Sequence, residues 1–117
     1  MKSGREHRVP LSKPAVSLLR ALPGDRLAEE LVFPGMHGRL SDMSLTAVLR
    51  RMEVPATAHG FRSTFRDWVS ECTEHSGEVA EMALAHAIGD KVEAAYRRGD
   101  LLEKRVALMT DWALFLG

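Results

Sequence analysis

Residues 58–73 read "AHGFRSTFRDWVSECT", and this stretch decides how the rest of the chain is understood. On a helical wheel at 100° per residue, Phe61, Phe65, Trp68 and Cys72 fall on one side at i, i+4, i+7 and i+11, the spacing of a core-facing stripe. His59, Arg62 and Arg66 fall together on another side at i, i+3 and i+7. One predicted helix therefore carries an aromatic anchor and, apart from it, a polar face of two guanidinium groups and an imidazole. That face suits phosphate, because the guanidinium fork matches paired oxygens and its charge does not titrate away. A helix N-terminus near His59 adds partial positive charge. The competing reading is a solvated face on which Asp67 and Glu71 pair the arginines.

The segments around this helix predict a mainly α protein, a helical bundle with one or two short β-strands near the start. "REHRVPLS" (5–12) carries Val9 and Leu11, reads as a short strand and ends at Ser12, a helix N-cap. Residues 13–22 follow as a helix with Pro14 in its first turn, and "PGD" at 23–25 stops it. "LVFPG" (31–35) is a short extended piece and "MHGRL" (36–40) a loop. Ser41 or Asp42 is expected to cap a helix over 43–52, with Leu45, Val48, Leu49 and Met52 as its buried stripe. Ser76 is expected to cap a helix running to Gly89. A short helix over 90–99 and a last helix over 100–116 complete the chain.

The chain has 117 residues, enough for one small domain, and equal numbers of acidic and basic side chains. The balance hides an asymmetry. Residues 1–66 hold eleven Lys and Arg against six Asp and Glu, and residues 67–117 hold five against ten. A basic half hints at a polyanionic partner, and the neutral total argues against strong sequence-blind DNA binding. No apolar run approaches the roughly 20 residues of a membrane span, so no membrane partner is expected. Cys72 is the single cysteine, which excludes an internal disulfide and suggests a reducing, cytoplasmic setting. His59, His75 and His86 lack metal-ligand spacing, and Cys72 is expected on the core stripe.

Beyond the 58–73 helix, His59-Gly60-Phe61-Arg62 is followed 24 residues after Arg62 by His86, in Leu84-Ala85-His86, and ten residues later by Tyr96, the only tyrosine. This order, H-x-x-R, then L-x-H, then Y, resembles the tyrosine recombinases, the phage integrase family. "HGFRSTFRDW", "EMALAH" and "GDKVEAAYRRGD" look like the C-terminal stretch of prophage and genomic-island integrases, and "REHRVPLS", "VFPG" and "SDMSLTAVLRRM" are similar to segments preceding it. The resemblance covers nearly the whole chain.

What it implies is site-specific DNA recombination through a 3′-phosphotyrosyl intermediate, with no metal or cofactor. Tyr96 would be the nucleophile. Arg62 would be one of two arginines gripping the non-bridging oxygens. His59 would orient the phosphate or assist proton transfer, and His86, a Trp in some relatives, would hydrogen-bond it. Lys2 would protonate the leaving 5′-oxygen. Arg66, Arg97 and Arg98 are additional cations, read either as phosphate contacts or as solvated charge. Implied partners are double-stranded DNA at attachment sites and other recombinase protomers, reached through the helix at 100–116; the implied setting is the bacterial cytoplasm, at the nucleoid. The family's other active-site arginine and its N-terminal DNA-binding domain have no counterpart in these residues. The expectation is one partial catalytic domain over 1–117 that does not recombine DNA alone. The alternative is a non-catalytic helical interaction or oligomerisation module, since Leu101, Leu102, Leu108, Met109, Trp112, Phe115 and Leu116 give the last helix much apolar surface.

Overall fold

The computed structural model describes residues 7–24, 27–28, 30–86 and 101–117. Its elements, in chain order, are helix α1 (Lys13–Arg20), strands β1 (Pro34–Gly35) and β2 (Gly38–Arg39), and helices α2 (Ser44–Arg51), α3 (Ala58–Cys72), α4 (Gly77–Ala83) and α5 (Leu102–Leu116). The protein is mainly helical with a short two-stranded sheet, as the sequence predicts. The expected helix over 90–99 lies outside the described residues.

The chain groups into two compact units. The first comprises Met1–Ala21 and Phe65–Gly117, the second Leu22–Thr64. In the first unit, α3, α4 and α5 supply the core: Phe65, Trp68, Val69, Val79, Ala80 and Leu108, with Ala83, Leu84, Leu101, Met109 and Trp112 packed against it. Four aromatic rings carry much of this packing. Trp112 meets Phe65 edge-on at 5.2 Å and Trp68 at 4.9 Å between ring centroids, and Phe115 stacks on Trp112 at 5.7 Å. Such tilted and edge contacts suit the ring quadrupoles.

Two members of the expected α3 stripe depart from it. Phe61 is half exposed and Cys72 is exposed, while Val69 is fully buried. The buried arc of α3 runs through Phe65, Trp68 and Val69, only the middle of the helix. Periodicity fixes the direction of a side chain, not the length of helix that another element covers.

The N-terminal segment contains no strand over residues 7–12, contrary to the expectation for 5–12. Pro10 lacks an N–H for a ladder. The Arg8 carbonyl instead accepts from the guanidinium of Arg105, which is 1% exposed on α5. A buried cation needs such oxygen partners. Ser12 then caps α1 as expected, accepting from the Ala15 N–H at 3.4 Å. The helix ends at Arg20 rather than at 22, because Leu22 precedes Pro23 and is pushed out of the helical region.

In the second unit β1 and β2 form a tight antiparallel hairpin, with Pro34 opposite Arg39 and Gly35 opposite Gly38. Gly38 and Arg39, expected as loop, are strand. Gly38 has φ +109°, which side-chain-bearing residues rarely adopt. Helix α2 begins at Ser44 with Met43 at its cap position and no side-chain cap bond. Ser41 does not cap it: its hydroxyl meets the Ser44 hydroxyl at 3.1 Å, while the Ser44 N–H is satisfied by the Ser41 carbonyl. The expected buried stripe is not buried either, as Leu45, Val48 and Met52 are exposed. The helix closes on a left-handed residue, Glu53, with Val54 N–H donating to Leu49 O and Glu53 N–H to Arg50 O. This is a Schellman ending, and Pro55 follows it.

Candidate functional site

Helix α3 carries three of the candidate residues. Thr57 sets its start: its hydroxyl accepts the Gly60 N–H at 2.9 Å, which satisfies one of the open donors of the first turn. Gly60 permits this closeness, since a β-carbon there would lie 2.9 Å from the Thr57 hydroxyl. His59 is exposed in that first turn and Arg62 half-buried one turn on. Arg66 follows one further turn along, so the three share a face of about 60°. His59 and Arg62 belong to the second unit and Arg66 to the first.

Arg66 is already engaged within the first unit. Its Nε donates to Glu81 Oε1 at 3.0 Å, and its Nη1 donates to the Ser70 hydroxyl on its own helix. Its carboxylate partner is thus Glu81 of α4, not Asp67 or Glu71 of α3. A β-carbon at Gly77 would sit 2.8 Å from Arg66 Nη2. The guanidinium therefore lies along α4 from Gly77 to Glu81, positions one turn apart on one face.

His86 is held by the end of α4. Ser76 caps this helix as expected, accepting from the Val79 N–H at 3.2 Å. The helix stops at Ala83 rather than at Gly89. Ala85 turns left-handed at φ 59°, with Ala85 N–H donating to Met82 O at 3.1 Å and His86 N–H to Glu81 O at 2.9 Å. This second Schellman ending brings residue 86 back over residue 81. There the His86 ring pairs through Nδ1 with Glu81 Oε2. The two oxygens of one carboxylate therefore bind one candidate residue each. The His86 ring first, and the Arg66 guanidinium second, hold the Glu81 carboxyl below its ordinary value, against a smaller opposing effect of burial.

The structure thus joins two sequence-predicted residues, Arg66 and His86, through a third that sequence reasoning missed. His86 is exposed, not a core histidine. Lys2, Tyr96, Arg97 and Arg98 lie outside the described residues. Elsewhere in the first unit, His75 Nε2 pairs with Asp111 Oδ2 at 2.6 Å, tying the α3–α4 connection to α5. Among the described residues no cluster of His, Cys, Asp or Glu could hold a metal ion, and no helix is long and apolar enough to cross a membrane.

The described candidate groups are thus a His-x-x-Arg pair on α3 in the second unit and, in the first unit, a histidine clamped by a carboxylate at the end of α4. Comparison with known proteins names the relatives. The chain is 34% identical to the integrase of Enterobacteria phage P4, over 99% of its own length. It is 35% identical to the prophage integrase IntZ of Escherichia coli K12 over 97%, and 32% identical to the integrase of Shigella phage Sf6 over 99%. These matches span only 28% to 31% of the relatives' own lengths. No protein-family profile matches the chain, and no solved structure matches it. The chain is a relative of the phage and prophage integrases.

Proposed function

We propose that this chain carries the phosphoryl-transfer residues of a DNA integrase, acting in site-specific recombination. The observation that carries the proposal is similarity to phage and prophage integrases along 97% to 99% of the chain, a stretch that contains His59, Arg62, His86 and Tyr96 in the order H-x-x-R, L-x-H, Y.

In the proposed reaction the Tyr96 hydroxyl oxygen attacks the scissile phosphorus. A 3′-phosphotyrosyl bond forms, the P–O5′ bond breaks, and the 5′-oxygen leaves with a proton from Lys2. A 5′-hydroxyl from another strand reverses the step. A phenol of pKa near 10 is a poor nucleophile at neutral pH and needs a base or nearby positive charge. In this reading His59 orients the phosphate or takes that proton. Arg62 and His86 donate to the equatorial oxygens as charge gathers there. This chain supplies one arginine for that grip, so we propose slow cleavage and no strand exchange by the 117 residues alone. Double-stranded DNA and further protomers are the proposed partners.

A nicked duplex carrying an attachment site tests the assignment, because loss of the short strand after cleavage traps the covalent adduct. The wild-type chain should accumulate adduct slowly. Tyr96→Phe should give none, and Arg62→Ala should be slower by about 10²–10³, the usual cost of one such donor. Equal trapping by wild type and Tyr96→Phe sinks the nucleophile assignment. If no adduct forms at all, the second reading stands, an interaction module. Leu114, Phe115 and Leu116, all exposed at the end of α5, favour that reading.

A further inference from the structure

Glu81 has no part in the reaction as proposed above, yet it is the residue through which two candidate groups meet. Three independent features converge on it. The α4 ending returns the His86 backbone N–H to the Glu81 carbonyl at 2.9 Å. The His86 ring is bonded through Nδ1 to one carboxylate oxygen. The other oxygen is fixed by Arg66 Nε at 3.0 Å, and the Arg66 guanidinium is itself seated over Gly77 with a bond to Ser70.

Proton bookkeeping then fixes the ring. An ionised carboxylate accepts hydrogen bonds and donates none. Glu81 stays ionised because two donors stabilise its charged form. The proton between the two groups therefore sits on His86 Nδ1. The remaining ring nitrogen, Nε2, is left as the working atom. It takes a proton when the ring is neutral, and donates one to an oxygen when the ring is an imidazolium. Which ring nitrogen is protonated is set by the bond that the other makes.

We propose that Glu81 is a positioning residue, clamping His86 by Nδ1 so that Nε2 is presented to a DNA phosphate oxygen or the group attacking it, and that Arg66 acts through Glu81 rather than on the DNA. The Nε2 half of this statement rests on the integrase reading; the Nδ1 clamp does not. Arg66 then orients the carboxylate from α3, and its substitution affects His86 at second hand. Gly77 is part of the same device, because any side chain there displaces the guanidinium.

The clamp is read directly on the full 117-residue chain by long-range ¹⁵N–¹H correlation of the imidazole rings, with the His86 signals assigned by their loss in His86→Gln. In the wild type the neutral His86 ring should carry its proton on Nδ1. Glu81→Ala should return the ring to mixed tautomers. Glu81→Gln should retain part of the preference, since one amide oxygen still accepts. Gly77→Ala should weaken it while leaving Glu81 in place, and unchanged helical circular dichroism verifies that each variant is folded. A wild-type ring protonated mainly on Nε2, or one indifferent to Glu81→Ala, overturns the proposal. In the adduct assay, Glu81→Ala should slow trapping by about tenfold, the lower end for removing a partner behind a working histidine. Duplex affinity should change little, and Glu81→Gln should recover part of the rate. An unchanged trapping rate in Glu81→Ala overturns the Nε2 assignment. A silent wild type with an intact Nδ1 preference instead removes the integrase reading and supports the clamp alone.

Discussion

The two units of this protein use apolar residues in different ways. In the unit made of Met1–Ala21 and Phe65–Gly117, α3, α4 and α5 bury six apolar side chains and the Arg105 guanidinium. Among the described residues of Leu22–Thr64 no side chain is fully buried, although the segment includes Phe33, Met36, Leu45, Val48, Met52 and Phe61. Both units contain amphipathic helices with regular spacing. Burial follows where a second and third helix supply the complementary face, and a helix spacing of i, i+3, i+4 does not say whether they do. Stability should therefore be concentrated in the first unit, while His59 and Arg62 sit in the second.

The largest expected effect tests that concentration. Trp68, 8% exposed and in ring contact with Phe65, Trp112 and Phe115, should cost about 3–5 kcal/mol on truncation to Ala. Leu45→Ala, at a position 60% exposed on α2, should stay within about 0.5 kcal/mol. Urea unfolding followed by far-UV circular dichroism measures both. A Leu45→Ala cost approaching that of Trp68→Ala would abolish the contrast between the units.

How much of this was legible beforehand follows the same division. The α3 helix, its aromatic anchor and the Ser12 and Ser76 caps could be read from local chemistry, because each depends on residues within one or two turns. The buried Arg105 could not, since its oxygen partner lies 97 residues away at Arg8. Glu81 was missed for a different reason. Residues 81 and 86 meet only if the helix ends in a left-handed residue at 85, and that position holds alanine instead of the glycine that flags such a turn. The C-terminal glycine rule points to Gly89, whereas α4 ends at Ala83. His59, Arg62 and His86 stand out as a set through the resemblance of their order to the integrase family, and the bond between His86 and Glu81 has no such signal.

A smaller effect sharpens the comparison at helix starts. In α4 the Ser76 hydroxyl accepts the Val79 N–H, so Ser76→Ala should cost about 1 kcal/mol. In α2 the corresponding bond does not exist, and Ser41→Ala, which removes only a hydroxyl pair on the surface, should be within about 0.5 kcal/mol. The same unfolding measurement separates them. Equal costs would mean that Ser41 caps α2 in solution, and that the second unit is better tied than its bonds indicate.

The smallest effect is a pH dependence confined to the first unit. The Glu81 carboxyl, ordinarily near 4.5, is lowered in the folded protein by the His86 ring and the Arg66 guanidinium. Around and below that value the unfolded chain binds the Glu81 proton more readily than the folded one. The group's contribution to stability is thus fully present above about pH 4.5 and is lost as pH falls through the lower folded value. Its side chain is 39% exposed, so the effect should be no more than about 1 kcal/mol, as for other solvent-screened pairs. Glu81→Gln removes the titrating group. The difference in unfolding free energy between wild type and Glu81→Gln should shrink from its plateau as pH falls below about 4.5. High salt should reduce the plateau. A difference that grows as pH falls below 4.5 would reverse the sign and show that Glu81 is not the acceptor between Arg66 and His86. Acid should loosen the α3–α4 link in this way without touching the helix start at Thr57, whose bond to Gly60 involves no titrating group.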